Sequence, residues 1–310
     1  MQVFRERREE GLTMNWGHKA IPPLSEAQFL LWQALLEDRT GMYIPVERKS
    51  LLQSNLSIRM REINCSDYDK YYGQIFATPS GVLEWSILVD RLMVQETRFC
   101  RNVDSLDLLQ RYLRHRILNK KQNAAISIWS VGCCTGEEPY TLAMVCYEAF
   151  LKSDRAPVFG VSGTDISLPA IQKARAGVYR KRQLSNIKQE WMGRYFDQSA
   201  GDQSTDDLFS VKDLIKQHVC FSMSNIVDTD KSPLKNVDVI YCQNVLLYFR
   251  VERKHRILNS LSERLAPGGM LVIGQGETNN WRNPLMQRVE DNRTLAFVRR
   301  ENPLNKQTTH

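Results

Sequence analysis

Ile126-Ser127-Ile128-Trp129-Ser130-Val131 runs directly into Gly132-Cys133-Cys134-Thr135-Gly136-Glu137-Glu138-Pro139-Tyr140, followed by an apolar helical pattern through Leu142, Ala143, Val145 and Cys146. A short apolar run, a glycine-bearing turn and a helix in that order read as the first strand, loop and helix of an α/β sheet. Glycine at such a turn lets the backbone come close to a ligand. In dinucleotide sites that ligand is a pyrophosphate resting on the helix N-terminus, which favours negative charge. Here Glu137 and Glu138 occupy the helix start, where they would repel a pyrophosphate and suit a cation. S-adenosylmethionine carries a sulfonium, an ammonium and no phosphate, so the charge pattern favours it over NAD.

The texture downstream agrees with a parallel sheet. Apolar runs at Val158–Thr164, Val219–Met223, Val237–Cys242 and Met270–Ile273 alternate with helical patterns, and Thr294–Val298 reads as a final antiparallel edge strand. Asp165 ends the second run, 29 residues past Gly136, where an acidic residue ordinarily bonds ribose hydroxyls. Asn225 and Asn244 follow two other strands and face the same crevice. Asparagines there are also common turn formers. Tyr248 can stack near a sulfonium or serve as a core aromatic. Between Leu184 and Asp213 a polar, poorly periodic segment interrupts the alternation and reads as a small insertion or lid.

Upstream, residues 21–95 read as helical. Ser25 is positioned to cap a helix carrying Phe29, Leu30, Trp32, Leu35 and Leu36, which Thr40-Gly41 ends. A second helix is expected from about Glu47 to Ile63 on the stripe Leu51, Leu52, Leu56 and Met60, which puts Arg48 and Arg59 on one face. A third is expected to hold Leu83, Trp85, Ile87, Leu88 and Leu92. Residues 1–20, with an alternative start at Met14, are expected to be a loose tail, and 301–310 a polar one.

The 310-residue chain has 42% hydrophobic and 25% charged residues, which is ordinary globular composition. It shows no secretory signal and no run long enough to span a membrane, so a cytoplasmic protein without membrane insertion is expected. Seven cysteines without a C-x-x-C pair or zinc spacing argue for reduced thiols and no metal. The net charge of +7 gathers in local groups: Arg48, Lys49, Arg59 and Arg61; Arg111, Arg114 and Arg116; and Lys173, Arg175, Arg180, Lys181 and Arg182. Such groups suit nucleic acid or an acidic protein, and are more often solvated faces.

Val131 through Tyr140, Gly163-Thr164-Asp165-Ile166, Ala174-Arg175-Ala176-Gly177-Val178-Tyr179, Cys242-Gln243-Asn244-Val245-Leu246-Leu247-Tyr248-Phe249 and Thr97-Arg98-Phe99-Cys100-Arg101 together resemble the CheR family of chemotaxis receptor methyltransferases. The resemblance runs in the family's order over roughly residues 24–299. It implies a Rossmann-like class I S-adenosylmethionine-dependent methyltransferase domain at 96–300, an N-terminal all-helical receptor-docking domain at 21–95, and a small antiparallel β insertion within about 185–218. It implies cofactor contacts from Gln95, Thr97, Arg101, Gly132, Gly136, Glu137, Asp165, Asn225, Ile226, Gln243 and Asn244, with Arg101 and Tyr248 near the transferring methyl group. It also implies that the helix with Arg48, Lys49, Arg59 and Arg61 docks on the cytoplasmic helical bundle of a methyl-accepting chemoreceptor. A monomer is expected, with no nucleic-acid partner. Within the family, TGMYIPVERKSLLQSNLSIRMREI (40–63) and VQETRFCR (94–101) look most like the branch attached to type IV pilus systems.

Some positions depart from the family's pattern. Gln95 stands for a frequent Asn, Cys100 for the second Phe, and Gln243 for a frequent Arg. Gly274-Gln275-Gly276-Glu277 stands for Gly-His-Ser-Glu. The implied reaction needs none of the groups these changes remove. A glutamate acceptor has an ordinary pKa of about 4.3 and is already ionised at neutral pH. The neutral thioether leaves without an acid. The sequence correspondingly offers no catalytic triad, metal site or carboxylate dyad. Competing readings are an RNA or protein N-methyltransferase, which the basic groups permit although an N/D-P-P-Y/F motif is missing, and a cofactor-binding module without turnover. A nicotinamide dehydrogenase is disfavoured by Glu137 and Glu138.

Overall fold

The computed structural model describes residues 21–77, 79–93, 96–121, 124–198, 207–278 and 280–301. The N-terminal tail with Met14, residue Gln95 and the tail beyond residue 301 lie outside them. The first helix, α1 (Glu26–Thr40), starts on a capping box: Gln28 N–H donates to Ser25 Oγ and Ser25 N–H donates to Gln28 Oε1, each at 3.1 Å. It ends at Gly41 in the left-handed conformation, with Gly41 N–H bonded to Glu37 O. A 3₁₀ turn at Val46–Arg48 precedes α2 (Lys49–Glu62). Arg48 therefore stands at the N-cap of α2, before the helix it was expected to share with Arg59. Then come α3 (Tyr68–Ala77), which the sequence reading missed, and α4 (Pro79–Leu92).

These four helices close over Phe29, Trp32, Leu36, Leu52, Leu56, Met60, Tyr71 and Leu88. The ring centroids of Trp32 and Tyr71 lie 5.4 Å apart, and those of Trp32 and Tyr72 lie 5.2 Å apart in an edge-on contact. Three residues expected on apolar stripes instead face outward: Leu30 (52% exposed), Leu51 (50%) and Leu83 (62%). Each stripe is narrower than the sequence suggested.

Arg59 does not point to solvent. Its guanidinium donates to both Glu84 oxygens at 2.7 and 2.5 Å and to Glu62 at 2.9 Å, and the Tyr71 hydroxyl donates to Glu84 at 2.7 Å. Arg59 and Glu84 side chains are 16% and 14% exposed, and Arg91 adds a bond to Glu62. This network ties α2 to α3 and α4, so Arg59 serves the fold of the helical unit. Arg48 and Arg61 are exposed and Lys49 is half-buried.

Beyond α5 (Val103–Asn119) the order is β1 (Ile126–Val131), α6 (Glu137–Leu151), β2 (Phe159–Asp165), α7 (Leu168–Ala176), β3 (Val178–Arg180), α8 (Gln189–Tyr195), β4 (Phe196–Gln198), β5 (Leu208–Val211), α9 (Asp213–Lys216), β6 (Val219–Met223), β7 (Val237–Cys242), α10 (Val251–Arg264), β8 (Leu265–Ile273), β9 (Met286–Arg288) and β10 (Leu295–Arg299). The main sheet has the order β6-β2-β1-β7-β8-β10-β9. Its first five strands in that order are parallel, while β10 pairs antiparallel with β8 and β9. The last strand is antiparallel, as expected, but it is not the edge, because β9 covers it.

The three-stranded insertion has the order β3-β5-β4 and begins at Val178, upstream of the start expected near 185. Side chains alternate between two cores. Ile128, Val161, Val239 and Val272 pack under α5 and α6, and Trp129, Val131, Ile240 and Ile273 pack under α10. Buried Asp238 receives Arg116 at 3.0 Å, Lys120 at 2.7 Å and the Ser127 N–H at 2.9 Å. Part of the apparently free basic character of α5 is thus spent inside the fold.

The Arg59 network gives a direct test. Arg59→Ala leaves Glu84 partly buried without its cation and is expected to lower unfolding free energy by about 2–3 kcal/mol, measured by urea denaturation. Arg61→Ala, at an exposed site, is expected to stay within about 0.5 kcal/mol of the unaltered protein. Equal effects would contradict the assignment.

Candidate functional site

The parallel strands end at one crevice, which the glycine turn and the loop after β7 close from two sides. Gly132 (φ +73°) has no room for a side chain: a Cβ there would lie 2.3 Å from Val245 Cγ2. The two loops are therefore in contact through a glycine. Asp165, at the end of β2, fixes the turn, its carboxylate accepting N–H bonds from Cys134 at 2.8 Å and Ser167 at 2.9 Å. Burial pushes the Asp165 carboxyl above its usual range, and the backbone N–H bonds counter this.

Glu277 fixes the opposite loop. This buried carboxylate accepts N–H bonds from Leu246 and Gly274, both at 2.8 Å, and the N–H groups of Asn244 and Leu247 also stabilise it. Asn244 itself takes the left-handed conformation at φ 62°, which an asparagine tolerates.

The helical unit forms the roof. Tyr43 N–H donates to Tyr248 O at 2.8 Å, Asn225 Nδ2 donates to Arg39 O at 2.8 Å, and Arg250 pairs with Glu37 at 2.8 Å while lying 3.7 Å over the Tyr43 ring. Gly41 makes this approach possible, because a Cβ there would sit 2.4 Å from Val227 Cγ1. The half-buried Tyr248 touches both the helical core and the α10-side core.

Two adjoining cavities result. One, of about 100 Å³, has apolar walls from Met42, Ile166, Ile226 and Phe249, with Asp165 and Asn225 as polar groups. The other, of about 230 Å³, is lined by Thr97, Arg101, Asn102, Glu138, Gln243 and Tyr248. Gly132, Cys134, Asn244 and Tyr248 border both. Of the residues expected from the sequence, Thr97, Arg101, Gly132, Asp165, Asn225, Ile226, Gln243, Asn244 and Tyr248 are thus brought together. Arg101 is exposed, and its Nη1 donates to Glu96 O at 2.7 Å.

Two expected residues lie elsewhere. Gly136 borders neither cavity, since Ala174 and Tyr179 occupy the space over its Cα. Glu137 is fully buried behind the turn, its carboxylate accepting from Thr135 Oγ1 at 2.7 Å and Gln183 Nε2 at 2.9 Å. It joins α6 to the insertion. Glu138 faces the cavity in its place, bonded by Ser130 Oγ at 2.7 Å. Burial pushes its carboxyl up to about 8, with Glu277 adding to the rise and Arg101 opposing it. The crevice is consequently less anionic when empty than the paired glutamates suggest.

Adjacent acids on a helix start differ in direction by about 100°, and the sequence does not reveal which one turns inward. Glu277 was also missed as a site residue, for it lies 31 residues from Leu246, whose N–H it binds. Among the described residues no cluster of His, Cys, Asp and Glu suits a metal ion, and no helix is long and apolar enough to cross a membrane.

This arrangement fits S-adenosylmethionine. The apolar slot with Asp165 at its polar end suits an adenosine, and the polar cavity with Glu138 suits an amino-acid moiety. Comparison with known proteins agrees. Residues 95–294 match the family model described as CheR methyltransferase, SAM binding domain, and residues 27–93 match the CheR methyltransferase, all-alpha domain. A chemotaxis protein methyltransferase of Borreliella burgdorferi is 30% identical over 244 residues, covering 77% of this chain and 83% of that protein. One from Klebsiella aerogenes is 29% identical, covering 82% and 84%. Chemotaxis protein methyltransferase 1 of Pseudomonas aeruginosa is 28% identical, covering 83% and 92%.

Glu138 yields a pH test. With a carboxyl near 8 it is protonated in the free protein at pH 7. A cationic ligand beside it favours the ionised form, so binding releases a proton and tightens as pH rises from about 6 toward 8. Calorimetry of S-adenosylmethionine binding in two buffers of different ionisation enthalpy is expected to show this release at pH 7, and Glu138→Gln to reduce it. An identical buffer dependence in the variant would reject Glu138 as its source.

Proposed function

As this chain belongs to the CheR methyltransferase family, we propose that it transfers a methyl group from S-adenosylmethionine to glutamate side chains of a methyl-accepting chemoreceptor. The observation that carries the reading is the exposed Arg101, which with Tyr248 lines the polar cavity of the crevice, in a chain both of whose family domains match.

S-adenosylmethionine supplies, when bound, an electrophilic methyl group on a sulfonium. Asp165 would hold the ribose, Asn225 and Ile226 the adenine side, and Glu138, Thr97 and Gln243 the amino-acid end. Arg101 is placed to orient an incoming carboxylate by charge-assisted hydrogen bonds. Tyr248 narrows the mouth and is kept protonated, since burial raises its hydroxyl above the ordinary value. It therefore adds no negative charge to repel the acceptor. The acceptor is itself ionised at neutral pH, so no residue has to remove a proton. Positioning alone can contribute about 7–11 kcal/mol.

Arg48, Lys49 and Arg61 of the helical unit would meet the acidic cytoplasmic bundle of the receptor, while Arg59 maintains that unit's fold. Each ester removes one negative charge from the bundle and can shift a closely balanced signalling equilibrium. Segments 40–63 and 94–101 favour a pilus-linked chemosensory system as the setting. A monomer acting in the cytoplasm is the corresponding working form.

Incubation with labelled cofactor and membranes from the same cell is expected to give base-labile label in a receptor, because esters hydrolyse in mild alkali. Alkali-stable label in RNA or protein, or none in any receptor, would reject the proposal. Arg101→Ala is expected to lower kcat by about tenfold or more with a smaller change in cofactor Kd. An unchanged kcat would remove Arg101 from this role.

A further inference from the structure

The catalytic mouth does not end at Arg101. Arg98, Arg101, Gln243 and Asn244, which line the polar cavity, also line an open depression outside it. Through Gln275 and Asn292 this depression continues into a groove of about 970 Å³ between the loop after β8 and the β9–β10 hairpin. The groove lies on the methyltransferase unit, apart from α2 of the helical unit. It carries Arg282, Arg288 and Arg300. Arg282 and Arg288 are exposed and Arg300 is half-buried.

Its acidic members are already matched. Asp104 pairs with Arg293 at 2.9 Å and Asp291 with Arg111 at 3.3 Å, while Asp291 also accepts N–H bonds from Arg293 and Thr294. Among the described residues Arg98, Arg282, Arg288 and Arg300 enter no ion pair. Thr294, at the groove, has a buried hydroxyl with no hydrogen-bond partner among the described residues. Among the described residues, four guanidinium groups without an ion pair thus line the surface that runs from the catalytic mouth into the groove. These arginines come from residues 98, 282, 288 and 300, so no local run of sequence announces them.

We propose that this groove holds the acidic segment of the acceptor protein that flanks the glutamate being methylated. The inference rests on the receptor-glutamate reading above. Unpaired arginines along a groove favour carboxylates, which they can bind through two parallel N–H bonds. Continuity with the mouth links the two: the segment next to a glutamate at Arg101 can reach the groove that carries Arg282 and Arg288. The acceptor is thereby held on both sides of the reacting carboxylate, by the helical unit on one and by the β9–β10 groove on the other.

The test uses the full chain, labelled S-adenosylmethionine and receptor-bearing membranes from the same cell. The double variant Arg282→Glu/Arg288→Glu is expected to lower kcat/KM for base-labile receptor labelling by about tenfold or more, carried mainly by KM. The Kd for S-adenosylmethionine is expected to be unchanged. That unchanged Kd, from calorimetry, shows that the variant is folded, and Arg282→Ala/Arg288→Ala gives an intermediate loss without charge reversal. Added salt is expected to depress kcat/KM of the unaltered protein more steeply than that of the double variant. Receptor labelling by the unaltered protein together with an unchanged kcat/KM in both double variants overturns the groove assignment alone. Absence of base-labile label with the unaltered protein overturns the receptor-glutamate reading and the groove with it.

Discussion

A buried carboxylate holds the side of the crevice that faces the glycine turn. Glu277 sits beyond β8 and accepts N–H bonds from Gly274 in its own loop and from Leu246 in the loop after β7. Those bonds lock together the ends of two adjacent parallel strands. Buried backbone N–H groups need partners, and a carboxylate offers enough lone pairs to serve several at once. Because Gln243, Asn244 and Tyr248 all belong to the loop so held, the side of the crevice opposite the glycine turn depends on it. Asp165 does the same for the turn through Cys134 N–H. The crevice is thus bounded by two loops, each pinned by a carboxylate that burial pushes toward its neutral form and backbone hydrogen bonds pull back.

The helical unit completes the site through contacts with the loop after β7 that Glu277 holds. Tyr43 bonds the Tyr248 carbonyl, and Arg250, just past the loop, both pairs with Glu37 and lies on the Tyr43 ring. The helical unit is in this way mechanically joined to the loop that carries Asn244 and Tyr248. The chemistry asks little more of the protein than such rigidity. An ionised acceptor and a neutral leaving group need no proton transfer, so orientation and electrostatic placement are the available contributions.

Much of this was legible in the sequence where local pattern and local structure coincide. The strand, glycine turn and helix at 126–151 were readable because periodicity and a required positive φ are both local. Asp165, Asn225 and Asn244 followed from the rule that strand C-termini face the ligand. What stayed hidden depends on contacts distant in sequence. Met286–Arg288 is too short to show alternation, and it becomes a strand by pairing with β10. Arg59 looked like one of a set of surface cations until α3 and α4 brought Tyr71 and Glu84 to it. Glu137 and Glu138 could not be ranked without the rotation of α6, and Glu277 could not be linked to Leu246 without the sheet order.

The most direct check is to weigh the Glu277 interaction in cofactor binding. Glu277→Gln preserves the size of the side chain but places an amide donor against a backbone N–H it should accept from. Losing one such bond, worth about 1–2 kcal/mol, is predicted to weaken S-adenosylmethionine binding by about tenfold in calorimetry. A Kd indistinguishable from that of the unaltered protein would show that the loop carrying Asn244 and Tyr248 keeps its shape without the carboxylate, and would contradict the account.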